Sequence, residues 1–257
     1  MDSQPKRAAQ GGAFETALSL LHRRGRIDAL GTGSPELDGL IGGLEPGLFY
    51  LFYGSEDGGL PDGLLLRLLV EAAARGRAVY VVCGNYRRSR TVLDSERLLS
   101  LIDGAGLDPD EALSRIHIVC AFSERHLIRA PDLVGEVLGR VDGVALVAVQ
   151  QLAKLFHGRL ALRREDPSEF TGVVSRLREL CFERGVVLAA SCRPSGRGRP
   201  APEPEGGSFL RHAASAIVYL RASRRGGTVS AYLVKYPDSA RSGRVVSFGE
   251  EGWAWGG

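Results

Sequence analysis

Apolar stretches alternate with amphipathic ones along this chain, and the alternation predicts strands and helices in turn. Leu48 to Tyr53 (LFYLFY) is apolar throughout, as a strand covered on both faces must be. Arg77 to Cys83, Ile116 to Cys120 and Gly185 to Ser191 have the same character, and Gly143 to Phe156 reads as a further core strand and its exit. Between these runs, Leu64 to Ala74, the stretch that opens at Ser95, Ala130 to Val141 and Glu169 to Arg184 carry the helical period. Strands and helices in this order predict an α/β fold: a doubly wound, mainly parallel twisted sheet with helices on both faces. AIVYLRA and TVSAYLVKY flank SRRGG near the end and predict a C-terminal β-hairpin extension, with VVSF as one more strand.

Residues 1–12 are polar with Pro and Gly, and read as a flexible arm. Residues 13–30 read as a helix and linker. Phe14, Ala17, Leu18 and Leu21 fall at i, i+3, i+4 and i+7, so they share one helix face. Residues 31–257 are expected to form one core domain, which suits a chain of 257 residues with 44% hydrophobic content. No apolar run reaches the roughly 18 residues of a membrane span, and the N-terminus lacks the apolar core of a secretory signal. A cytoplasmic location is expected. Cys83, Cys120, Cys181 and Cys192 are widely spaced with no C-x-x-C, which favours free thiols in a reducing compartment over a metal site or disulfides. The net charge is only +3, but of 33 basic residues all except Lys6, Lys154 and Lys235 are arginine. That bias suits bidentate phosphate contacts, and equally a biased genomic base composition. The single Met suits a thermophile.

Candidate chemistry centres on Gly54 to Asp62, GSEDGGLPD, between the LFYLFY strand and an apolar helix. Strand, glycine-rich turn and helix N-terminus form the layout of a phosphate-binding loop, G-x-x-x-x-G-K-[ST]. Gly54 and Gly59 have the required spacing. Leu60 stands where Lys would reach the β/γ oxygens, and Pro61 where a hydroxyl would hold Mg²⁺. The acids Glu56, Asp57 and Asp62 would repel phosphate.

The run before the loop carries Thr32-Gly33-Ser34, Glu36-Leu37-Asp38, Leu40, Gly42-Gly43 and Gly47. With the loop, this set resembles the opening of the core domain in RecA/RadA-like recombinases, closest to the archaeal RadA branch. The resemblance implies roles for further positions. Phe14-Glu15-Thr16-Ala17 matches the F-x-x-A element with which a recombinase subunit adds a strand to its neighbour. The family's catalytic Glu aligns with Gly84, its Mg²⁺-linked Walker B Asp with Gln150, and its Asn-Gln γ-phosphate sensor with Ser191-Cys192. Phe156 to Asp166 lies where the family has its first DNA-binding loop, with Arg159, Arg163 and Arg164. Cys192 to Gly207 lies where it has the second, with Arg193, Arg197 and Arg199 against Glu203 and Glu205. Both stretches read as irregular, the second too rich in Pro and Gly for a regular element, and each reads equally as a solvated surface loop. Lys235 lies at the family's nucleotide-capping segment; the plainer reading is a surface lysine at a strand end.

The resemblance therefore implies a degenerate, ATPase-dead RadA paralogue from a thermophilic archaeon, with no catalytic residues, no metal and no cofactor. It implies a chain that binds a RadA-type recombinase or another recombinase paralogue through Phe14 and Ala17, and modulates its assembly on single-stranded DNA. Two other readings stay open: a stand-alone DNA-binding protein using the arginine-bearing loops, and a KaiC-like signalling pseudo-ATPase, since that group shares the T-G-x-x-x-L-D start. Self-association is undecided by the sequence.

Overall fold

A computed structural model describes residues 28–54, 59–84, 93–162, 168–196, 201–223 and 227–249. Eight strands form one sheet in the order β10-β9-β8-β1-β5-β4-β2-β3. They are β1 (Phe49–Gly54), β2 (Arg77–Cys83), β3 (Ile116–Ala121), β4 (Val144–Val149), β5 (Val187–Cys192), β8 (Ala216–Ala222), β9 (Thr228–Lys235) and β10 (Val245–Gly249). From β8 to β3 every pairing is parallel. β9 and β10 add antiparallel strands at one end. This is the mainly parallel sheet with a hairpin extension that the apolar pattern predicts.

Helices cover both faces. The sheet's alternation sends Tyr50, Phe52, Tyr80 and Val82 into one core with α1 (Pro35–Ile41), α2 (Gly59–Arg75) and α3 (Ser95–Gly104). Phe49, Leu51, Tyr53, Val79 and Val81 enter the other, with α5 (Glu124–Arg140) and α7 (Ser168–Arg184). β1 is buried at all six positions because a neighbouring strand lies on each side and a helical layer on each face.

Several expectations need correction. α2 starts at Gly59, five residues before Leu64, because Pro61 is tolerated in a first turn where its missing N–H has no intrahelical partner. Within the stretch that follows Ser95, a second, short helix α4 (Pro109–Ser114) forms, with Asp108 Oδ1 accepting from Glu111 N at 2.8 Å. α5 starts at Glu124, capped by Ser123, and carries Pro131 within it. The stretch after Phe156 is not wholly a loop: it begins with α6 (His157–Leu162). The Pro/Gly-rich stretch after Cys192 is not wholly irregular either. β6 (Pro194–Ser195) pairs antiparallel with β7 (Glu203–Pro204), before α8 (Gly207–Ala213).

The residues that carry the family-like start have a local physical job. Asp38 Oδ1 accepts from Thr32 N at 2.8 Å, Ser34 Oγ caps α1 through Leu37 N, and Gly42 closes that helix at φ 78°. Lys235 is not a free surface lysine. Its ammonium donates to the carbonyls of Arg211 (2.9 Å), His212 (3.2 Å) and Ala214 (2.6 Å), so the end of β9 caps the last turn of α8.

Candidate functional site

The candidate site lies beyond the C-terminal ends of β1, β4 and β5, the place where open α/β sheets bind ligands. β1 delivers Gly54. A Cβ there would meet the Leu220 carbonyl oxygen of β8 at 2.3 Å, so this glycine is required by strand packing as well as by any loop chemistry. Residues 55–58 lie outside the described residues. At the start of α2, Leu60 turns into the core and Pro61 is buried. Neither presents a group to the space above the sheet. Gly84, at the end of β2, is buried and donates its N–H to the Ala121 carbonyl at 3.1 Å.

The group that occupies this space is Asp62, in the first turn of α2. Three donors from two strand exits converge on its carboxylate. Gln150 Nε2 donates to Oδ2 at 3.2 Å, Gln151 Nε2 to Oδ1 at 2.8 Å, and Ser191 Oγ to Oδ1 at 2.5 Å. The main chain is tied in too. Gln151 N donates to Ser191 Oγ at 2.8 Å, Leu152 N to the Ser191 carbonyl, and Gln150 N to the Val81 carbonyl. Gln151 is 3% exposed and has φ 48°, the one left-handed non-glycine residue among those described. Such a conformation costs a β-carbon residue roughly 1 kcal/mol, and the Asp62 and Ser191 contacts hold it. The Oε1 atoms of Gln150 and Gln151 are buried with no hydrogen-bond partner, so the carboxylate dictates which way both amides face.

Burial raises the Asp62 pKa above its ordinary value, while the bonds from Ser191, Gln151 and Gln150 and the charge of Lys154 restrain the rise. Burial also pushes the Cys83 thiol up to about 12 and the Cys192 thiol well above its usual value, so neither is a ready nucleophile. Cys83, Cys181 and Cys192 are buried free thiols, and Cys120 is exposed.

A carboxyl whose pKa is raised by folding stabilises the fold fully below its unfolded pKa. The contribution is lost as pH rises through the folded value. Asp62→Asn removes that loss. Its Oδ1 still accepts from Ser191 and Gln151, and a reversed Gln150 amide accepts from the new NH₂ group, satisfying one orphaned carbonyl. The variant is expected to gain about 1 kcal/mol at neutral pH, with the gain shrinking as pH falls toward about 4. Urea denaturation across that range measures it.

The candidate DNA-binding arginines divide. Arg163, Arg164, Arg197 and Arg199 lie outside the described residues, as do the docking residues Phe14 and Ala17. Arg159 sits on α6 and is engaged within the chain: it donates to Glu124 at 3.0 Å and Glu169 at 2.9 Å, and lies 5.7 Å from the centre of the Phe156 ring. Arg193 is half-buried and accepts at its carbonyl from Glu205 N. The β6–β7 hairpin is anchored at its loop side by Tyr53 Oη donating to the Pro202 carbonyl at 2.6 Å and at its base by the His157–Glu205 contact, and Glu203 pairs with Arg211 at 2.6 Å. The acids read as balancing that loop are thus paired to His157 and Arg211.

At the opposite edge, β3 is the last strand of the sheet. A shallow apolar groove between β3 and α5 is lined by Ile118, Leu133, Val137 and Val141, with Glu136 and Arg140 also bordering it. Among the described residues no helix is long and apolar enough to cross a membrane.

No family model matches the chain. Among solved structures it is similar to the RadB recombinase, with a TM-score of 0.70 and 22% identity over 86% of this chain and 95% of that one. At that identity the likeness establishes the fold, a RecA-like α/β core.

Proposed function

We propose that this chain is a non-catalytic relative of the RadA-type recombinases that binds such a recombinase, or another paralogue, and modulates its assembly on single-stranded DNA in recombination and repair. One observation carries this reading. Where a nucleotide hydrolase would present a lysine, a hydroxyl and carboxylates to Mg²⁺ and phosphate, this chain has Leu60 and Pro61 buried and two neutral amides whose NH₂ groups donate to Asp62. Phosphoryl transfer rests on positioning and charge stabilisation, and these residues offer neither. The likeness to the RadB recombinase supports the recombination setting. Arg159, held by Glu124 and Glu169, weighs against a stand-alone DNA-binding protein that depends on it.

Contact with the partner runs through Phe14 and Ala17. The open β3 edge, with Ile118 and Leu133 partly exposed beside it, suits the reciprocal event: addition of a partner strand bearing an apolar anchor. The test is capture of the purified chain on an immobilised RadA-type recombinase, alongside ATP turnover by the chain alone. Retention on the recombinase with no turnover is the expected result. Turnover abolished by changing Gln150, or no retention under any nucleotide condition, overturns the proposal.

A further inference from the structure

We infer that His157 and Glu205 form a proton-operated latch between the start of α6 and the base of the β6–β7 hairpin, closed while the imidazole is protonated and loosened once it is neutral. Glu205 is 7% exposed, the only charged residue buried that far among those described. Its Oε1 meets His157 Nδ1, and its Oε2 is buried with no hydrogen-bond partner. A carboxylate taken so far out of water is costly unless a cation answers it. The group the fold sets against this one is an imidazole, which carries charge only when protonated.

The neighbouring charges are committed elsewhere. Arg193 meets Glu205 through its main-chain carbonyl, and its own Nε is buried without a partner. Arg211 of α8 pairs with Glu203, Arg159 of α6 pairs with Glu124 and Glu169, and Lys154 favours the charge on Asp62. Burial pushes the Cys192 thiol up and the Glu205 charge adds to the rise, so that thiol stays neutral. Burial also pushes the Tyr53 phenol up, so it stays protonated and keeps its bond to Pro202. That leaves the imidazole, a side chain that ordinarily changes charge between about pH 5 and 8, as the variable member of the junction.

The two sides of the contact are held differently. His157 follows Phe156, which is fully buried with its ring centre 5.5 Å from that of Phe170, so the imidazole is carried on a fixed support. Glu205 is followed by Gly206 and Gly207 at φ 115° and 74°, two left-handed positions that give the chain a hinge between the hairpin and α8. Protonation turns a single hydrogen bond into a charge-assisted one, roughly twice as strong. The neutral ring donates at best one N–H, and in its other tautomer it turns a lone pair toward the carboxylate. Closure is therefore complete at the acid end of the imidazole range and is lost as pH rises through it. With Tyr53 still on Pro202, opening is confined to the hairpin base and the first turn of α6. Closed, the latch couples the stretch after Phe156 to the stretch after Cys192; open, each moves alone. The inference is independent of which partner the chain meets.

Hydrogen exchange read by mass spectrometry tests the latch on the full chain, as protection of peptides spanning residues 203–207 at about pH 6 and about pH 8, corrected for intrinsic rates. Wild type is expected to lose about 10-fold in protection between the two. His157→Ala should show the lower protection at both pH values. Glu205→Gln, with no buried charge to answer, should lose the pH dependence. A merely structural contact predicts wild-type protection that is the same at both pH values, and that result overturns the inference, as does either variant keeping the wild-type pH dependence. The His157 side chain is 66% exposed, so its replacement spares the core, and wild type against His157→Ala decides even if Glu205→Gln fails to fold.

Discussion

Gly54→Ala is expected to destabilise the protein by about 3 kcal/mol, the upper part of the usual range for overpacking a core. The added Cβ would sit 2.3 Å from the Leu220 carbonyl oxygen and 3.2 Å from that residue's carbonyl carbon and Cβ. The obstacle is backbone, so no side-chain rotation relieves it. Gly54 and Leu220 are register partners in the parallel β1–β8 ladder. β8 cannot retreat freely, because β9 pairs with it along its other side. β1 cannot retreat either, because β5 holds it at five successive pairs. The strands must part locally and give up ladder hydrogen bonds buried on both faces. Urea denaturation followed by circular dichroism measures the loss. A change below about 0.5 kcal/mol, the size of an ordinary surface substitution, would show that β8 yields easily and that Gly54 owes nothing to packing.

Phe14→Ala is expected to weaken binding to a RadA-type recombinase by about 100-fold, the effect of truncating a central aromatic anchor. The expectation comes from sequence: Phe14 and Ala17 hold the spacing of an element that adds a strand and buries an aromatic ring. The competing account places Phe14, Ala17, Leu18 and Leu21 on one face of a helix packed against the chain's own core. Two measurements separate them. A docking element loses affinity in surface plasmon resonance while the melting temperature stays put. A core helix loses melting temperature, and affinity only in proportion to the unfolded fraction.

The layered fold was legible because its central strands are covered on both faces. Such strands read as unbroken apolar runs, and Arg77–Cys83 and the β8–β9 hairpin lie where the pattern puts them. Helix starts were harder. Gly59-Leu60-Pro61-Asp62 looks like loop by composition, yet Pro in a first turn costs a helix nothing. Asp108-Pro109 carries an N-cap and first-turn signature, and a short helix starts there.

Of the site, the missing lysine, hydroxyl and carboxylates are visible as residue types in a row of letters. The contacts that replace them are not. Asp62 reads as one more acid that would repel phosphate, because its partners at 150, 151 and 191 lie 88 to 129 positions away along the chain. The available signal was that both glutamines and the serine fall just where β4 and β5 end, so their side chains share a rim with the first turn of α2. Arg159 illustrates the opposite error. Its charge is plain in the sequence, whereas its two carboxylate partners come from α5 and α7.

The strand order also governs how the protein can be made. β1 is among the first elements synthesised, but both its neighbours come late: β5 begins at Val187 and β8 at Ala216. A nascent chain leaving the ribosome therefore carries this fully buried strand unpaired until Val187 has emerged. Closure must wait for these distant pairings, which makes folding slow and leaves sticky intermediates on the way. Chaperone capture during translation, and aggregation of any product truncated before Val187, follow directly from where β1 sits.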